Sequence, residues 1–144
     1  MWRSTAVQLC VDAGIGSRLW LSIGGKVDPE SGAPLDVQDE VLALVRQHHQ
    51  QVGALQAPLG TAAAIRFAGI EVVLCRIRDQ AYDPILLDGL GVDCRRRHFI
   101  VLKSSQQFHL GFDAVSKFDV ALRRPPRGAA GLLPVRRPLW PLDE

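Results

Sequence analysis

Lys103-Ser104-Ser105 lies between the apolar run Phe99-Ile100-Val101-Leu102 and the helix-spaced residues Phe108, Gly111, Phe112 and Val115, and here residue types and spacing could do chemistry. Ser104 stands three residues before Gln107, so the serine hydroxyl can accept from a first-turn N–H while the glutamine reaches back to the cap's own N–H. A lysine and two serines where a strand ends and a helix begins meet several unpaired N–H groups, a combination that favours an anionic group. In an open α/β sheet, ligands bind in the crevice at the carboxyl end of such a strand. The same residues answer a plainer need, since every helix start requires a cap and Ser104 with Gln107 supplies one with or without a ligand.

Other chemistries are weaker. Gly25-Lys26 invites a phosphate-loop reading, but the residue five before Gly25 is Trp20 rather than glycine and Val27 takes the place of the magnesium-binding hydroxyl. Gly14 and Gly16 lack the third glycine of a dinucleotide fingerprint, whose place is held by Leu19. His48 and His49 are adjacent, which sends their side chains to opposite sides of an extended chain, and with His98 and His109 they are not spaced to give zinc three ligands. Cys10, Cys75 and Cys94 are odd in number and widely spaced, which argues against a disulfide framework or zinc ribbon and for reduced thiols in a cytoplasmic protein.

The 144 residues fit one domain with its own core. No apolar run approaches a membrane span, and Met-Trp-Arg-Ser-Thr is not a secretory leader. A net charge of +2 does not by itself imply nucleic acid. Arg95-Arg96-Arg97, Arg123-Arg124 with Arg127, and Arg136-Arg137 could form a phosphate-binding stripe, but aromatic residues are not interleaved among them, and solvated loops are the simpler reading.

The elements that must position the turn follow from local pattern. Thr5 to Ala13 reads as a helix, with Thr5 and Gln8 as a capping box and Gly14 as its stop. Gly16 to Ile23 alternates as a strand, with Leu19, Leu21 and Ile23 on one face. Leu35 to Gln47 fits a strand with a bulge better than a helix, and His48-His49-Gln50-Gln51 is expected as a polar loop tip. Ala62 to Phe67 and Ile70 to Ile77 form a hairpin around Ala68-Gly69. Asp83 caps a short helix from Pro84 to Asp88 that ends at Gly89. Phe99 to Leu102 is expected as a strand buried on both faces, and Phe118 to Leu122 as a last short strand. Beyond Arg123, proline, glycine and arginine leave no periodicity. The fold class is mixed α/β (α+β): residues 1–122 as one domain with a mixed sheet, a hairpin region and two or three helices, and 123–144 as a tail packed on it, with Trp140 docking.

Five segments in this order, Ala13 to Lys26, Gly60 to Leu74, Arg78 to Pro84, Gly91 to Phe108 and Arg137 to Asp143, resemble the C-terminal domain of the microcystinase C (MlrC) family over nearly the whole chain. The resemblance implies zinc metallopeptidases that hydrolyse peptide or amide bonds of the microcystin-degradation type, with the metal ligands mainly in a larger N-terminal domain. This chain is expected to begin inside such an architecture, as a truncated or split member, and to hold no zinc and show no activity alone. Its partners would be the N-terminal metal-binding domain, in the same enzyme or as a split-gene product, and a peptide or small amide substrate; a homo-oligomer stays open. Lys103, Ser104, Ser105 and Arg78 would grip a substrate carboxylate or orient its carbonyl, with Gln107 as a further substrate-binding candidate. Two departures stand out. The family's K-S-x-x-H-F motif has Gln107 in place of the histidine, and Ala121 to Pro126 replaces a small-residue-Pro-Gly turn after Val120. A glycine-rich D-N-P-G-G-G loop would also be expected just before residue 1. The rival reading is a non-catalytic binding or assembly module using the same cleft and the face left by the absent domain.

Overall fold

A computed structural model describes residues 5–26, 32–102, 107–115, 121–123 and 133–135. The chain runs α1 (Thr5–Ala13), β1 (Arg18–Ile23), β2 (Leu35–Val52), β3 (Leu55–Phe67), β4 (Ile70–Cys75), α2 (Ile85–Asp88), a 3-10 turn (Cys94–Arg96), α3 (His109–Phe112), β5 (Ala121–Arg123) and β6 (Leu133–Val135). β1 to β4 form one sheet in sequence order, and every pair in it is antiparallel. The expected mixed sheet is therefore corrected: a crossover connection would be needed to add a parallel member, and residues 99–102, expected as a strand buried on both faces, join no ladder among the described residues. The segment after Arg123, expected to lack periodic structure, contributes β6, which pairs with β5.

The β3–β4 hairpin turns on Ala68 and Gly69, both with positive φ (47° and 80°), the geometry that matches the twist of the flanking strands. α1 ends as expected, with Gly14 at φ 85° donating its N–H to Cys10 C=O at 2.9 Å.

Fully buried Ala62, Ala63 and Ala64 let elements on both sides approach β3 closely. On one face α1 brings Cys10 against Leu21, Val37, Val41, Ala63 and Ile65. On the other face Ala62 and Ala64 meet Leu90 and Val92, with Leu87 of α2 beside them. Outside α2 lies a third cluster, where Ala81, Cys94 and Phe112 are buried and Ile100, Leu102, Phe108 and Val115 pack against them. α3 approaches residues 82–84 so closely that a Cβ at Gly111 would stand 2.7 Å from Tyr82 O.

Register shifts between Val41 and Ala43 and between Val45 and His48 each add one residue to β2, and the shift between His48 and His49 adds Leu59 to β3. A bulge moves the later side chains to the opposite face. Val37, Asp39 and Val41 therefore share the α1 side, whereas His48 and Gln50 turn toward α2 and the segment before it. These two were expected at a polar loop tip. They are buried in the strand instead, and the hairpin tip falls at Gly53-Ala54, because the strand continues past the second bulge to Val52.

Candidate functional site

A crevice of about 1080 Å³ opens between β4 and the segments 77–81 and 96–102. Its floor and walls include Val73, Cys75, Leu87 and Ile100, and its rim carries Arg78, Arg96, Arg97 and His98. The sequence run Phe99 to Leu102 lies on one wall, but not as a strand covered on both faces. Ile100 and Leu102 pack on the third cluster, while Phe99 and Val101 are each 91% exposed. The reason is topological: no described element lies on their outer side, so the pattern that specifies double burial finds only one cover.

Arg78 stands exposed on this rim and makes no ion pair among the described residues. Its segment is held from below. Gln50, 0% exposed, donates Nε2–H to Gln80 C=O at 2.7 Å and accepts the Tyr82 N–H on Oε1 at 2.9 Å. His48 Nε2 sits 3.0 Å from Leu86 C=O and so ties the same strand to α2. Asp79 Oδ1 accepts from Gln80 N–H and from the Tyr82 hydroxyl, each at 2.8 Å, and the latter bond raises the phenol's pKa by favouring its protonated form. Asp83 caps α2 by accepting the Ile85 N–H at 2.8 Å, as its sequence position predicts.

Charge at the crevice is unevenly matched. Glu71 Oε1 binds Arg66 at 2.8 Å, and Glu71 Oε2 lies 2.6 Å from Arg97 Nη2. The second contact is close but off the hydrogen-bond direction, leaving Oε2 buried without a bonded partner. With Glu71 and Asp79 occupied, Arg78 and Arg96 have no acidic partner among the described residues, so the rim favours a carboxylate or another anion.

Lys103, Ser104 and Ser105 lie outside the described residues. Gln107 is exposed, stands beside Phe108 at the start of α3 and is not part of the crevice lining. Of the sequence candidates, the structure thus brings Arg78 to the crevice and leaves Gln107 off it. Composition and spacing did not single out His48, Gln50, Asp39 or Glu71. The sequence did hold a signal for the first two, whose i, i+2 spacing puts both on one face of any strand that continues through them.

Burial keeps the three thiols protonated at neutral pH. Burial pushes Cys10 up to about 11, with help from the nearby Asp39 carboxylate, and pushes Cys75 up to about 11. Cys94 rises to about 12, first through burial and then through Asp88. Among the described residues no three His, Cys, Asp or Glu side chains gather as a metal group. His48 is engaged with Leu86 O, and His109 Nδ1 is 2.8 Å from Asp113 Oδ1. The described residues therefore do not fit a catalytic zinc, which needs three protein ligands and an open position. Lys26, the residue of the rejected phosphate-loop reading, donates to Ser22 C=O. Among the described residues no helix is long and apolar enough to cross a membrane.

Asp39 is a second anomaly, away from the crevice. It is 2% exposed, sits on the apolar α1 side, and neither carboxylate oxygen has a hydrogen-bond partner among the described residues. Burial raises its carboxyl above the usual value of 3.8.

The family model for the MlrC C-terminus matches residues 1–125. Microcystinase C of a Sphingomonas species is 33% identical over 144 residues, a match that covers 99% of this chain and 28% of that protein's length. The fold is also similar to the crystal structure of a "putative metallopeptidase" from Mesorhizobium sp. BNC1, with a TM-score of 0.70 and 22% identity over 78% of this chain and 24% of that one.

Proposed function

The chain belongs to the MlrC C-terminus family, and from that membership we propose that it is the substrate-cleft domain of a zinc-dependent peptidase of the microcystinase type. In this reading the metal and its ligands reside in the larger part of such an enzyme, which this chain, spanning 28% of its curated relative, does not include. The crevice beside β4 contributes a wall of the cleft. Arg78, unpaired on the rim and held by the Gln50 bonds beneath it, grips a carboxylate of an extended peptide or amide substrate. Lys103, Ser104 and Ser105 extend the same anion-binding function, and Gln107 stands where the family's K-S-x-x-H-F motif carries histidine. The observation that carries the reading is the uncommitted Arg78 at the mouth of a largely apolar crevice in a domain of this family.

The test is reconstitution. The Sphingomonas enzyme's residues outside the match, produced separately, are mixed with this chain, and zinc content and hydrolysis of a linear peptide with a free carboxylate are measured. Zinc-dependent hydrolysis in the mixture and none in this chain alone is expected, with Arg78→Ala raising KM at least tenfold while kcat changes less. Stoichiometric zinc and hydrolysis by this chain alone would overturn the division of labour, as would an unchanged KM in the variant.

A further inference from the structure

β4 is the last strand of its sheet, and its outer edge is unpaired among the described residues. In a two-residue hairpin the residues flanking the turn, Phe67 and Ile70, form a hydrogen-bonded pair, and such pairs recur at every second residue. Val72 and Leu74 therefore turn their main-chain groups toward β3, and Arg76 continues the series by donating to Thr61 C=O at 2.9 Å. Glu71, Val73 and Cys75 present theirs outward, to the crevice. On its opposite wall, the burial of Phe99 to Leu102 alternates with period two, the mark of an extended chain. That segment makes no main-chain hydrogen bond among the described residues. Exposed apolar side chains cluster here: Ile70 and Ile77 line the same crevice as Phe99 and Val101.

An extended, β-prone segment with bare main chain and two almost fully exposed apolar residues, facing an open strand edge, has the chemistry of a sheet awaiting another strand. We infer that this surface docks a β-strand from the larger part of the family enzyme, which pairs with Phe99 to Leu102 and covers Phe99 and Val101. The inference rests on the proposed need for that larger part and specifies where and how it binds. The occupant follows from two facts. This chain matches its curated relative over 28% of the relative's length, so a much larger body of protein is available to cover the face. The exposed side chains are apolar and the main chain beside them is unpaired, which a strand satisfies and a solvated loop does not.

The experiment uses the unmatched portion of the Sphingomonas enzyme fused ahead of this chain, and hydrogen exchange of individual amides. Amides of Phe99 to Leu102 should exchange at least a hundredfold more slowly in the fusion than in this chain alone. Phe99→Asp with Val101→Asp should leave the thermal midpoint of the isolated chain unchanged, because both residues are 91% exposed, and should abolish that protection. Equal exchange in fusion and isolated chain overturns the inference. So does protection of the isolated chain that grows with its own concentration, which would make a second copy the occupant, or protection that appears only with a peptide substrate. Hydrolysis is followed on the same fusion: activity without protection refutes this docking mode and leaves the proposed function standing, and protection without activity does the reverse.

Discussion

Replacing Gln50 by leucine tests whether the crevice rim is held from inside the sheet. Gln50→Leu keeps the side chain near its original volume at a position that is 0% exposed, and removes both the bond to Gln80 C=O at 2.7 Å and the bond from Tyr82 N–H at 2.9 Å. Losing the partner of a part-buried main-chain group costs about 1–3 kcal/mol, so the two losses together come to about 4 kcal/mol. Added apolar burial returns about 1 kcal/mol, which leaves a net destabilisation of about 3 kcal/mol. That is a large share of a domain's total stability of about 5–15 kcal/mol, and with a urea slope of about 2 kcal/mol/M it lowers the unfolding midpoint by about 1.5 M. The assay is urea unfolding followed by circular dichroism, joined to hydrogen exchange at the Tyr82 amide, which should lose protection before the amides of Ala62 to Ile65 do. A midpoint shift below about 0.3 M with unchanged Tyr82 exchange would refute the claim that Gln50 fastens the Arg78 segment.

Asp39→Asn should stabilise the protein at pH 7 by about 1–3 kcal/mol, because it removes an unpartnered buried charge. Burial raises the folded-state carboxyl pKa, so the folded chain binds this proton more tightly than the unfolded one, and wild-type stability falls as pH rises from 3.8 through the raised value. The variant's advantage in thermal midpoint should therefore vanish below pH 3.8 and grow as pH rises through the raised value. Gly111→Ala should destabilise by about 1–3 kcal/mol in thermal melts, since its Cβ would lie 2.7 Å from Tyr82 O, whereas helix propensity alone would favour alanine by about 1 kcal/mol. Ala68→Gly should raise stability by about 0.5–1 kcal/mol by relieving a left-handed alanine at φ 47°. Cys10 and Cys94 should react with Ellman's reagent at pH 7.5 only as fast as the protein opens, given thiols pushed up to about 11 and about 12; rapid labelling of the folded chain would contradict their burial.

Wherever a side-chain pattern was completed inside the described residues, the sequence announced the element. Thr5 to Ala13 had its stop at Gly14, Leu19, Leu21 and Ile23 alternated toward a core that exists, and Ala68-Gly69 supplied the turn between two β-prone runs. His48 and Gln50 differ from the sequence expectation because a bulge is invisible to alternation: one extra residue between Val45 and His48 turns polar side chains inward where the pattern specifies a solvated tip. Asp39 was not singled out, because a lone polar residue between Val37 and Val41 carries no spacing signal that it will be buried on their face or lack a partner among the described residues. The crevice itself could not be read from sequence, because it joins β4 to residues 96–102 across more than twenty positions with no motif linking them.

The mismatch at Phe99 to Leu102 carries the most information about function. A run of large apolar residues specifies burial on both faces, and Ile100 and Leu102 obtain it from Ala81, Cys94 and Phe112 while Phe99 and Val101 do not. Each exposed residue forgoes about 1.5–3 kcal/mol of burial, a cost a soluble domain does not ordinarily carry at two neighbouring positions without a compensating contact. The same wall bears the uncommitted Arg78 and Arg96, yet the described histidines are engaged or scattered and the thiols are held protonated. Anion-binding groups and an unfinished strand thus share one crevice, while water-activating groups do not gather there. That combination supports the proposed division between a cleft domain and a separate metal-binding part, and an Arg78 variant whose KM does not change would count against it.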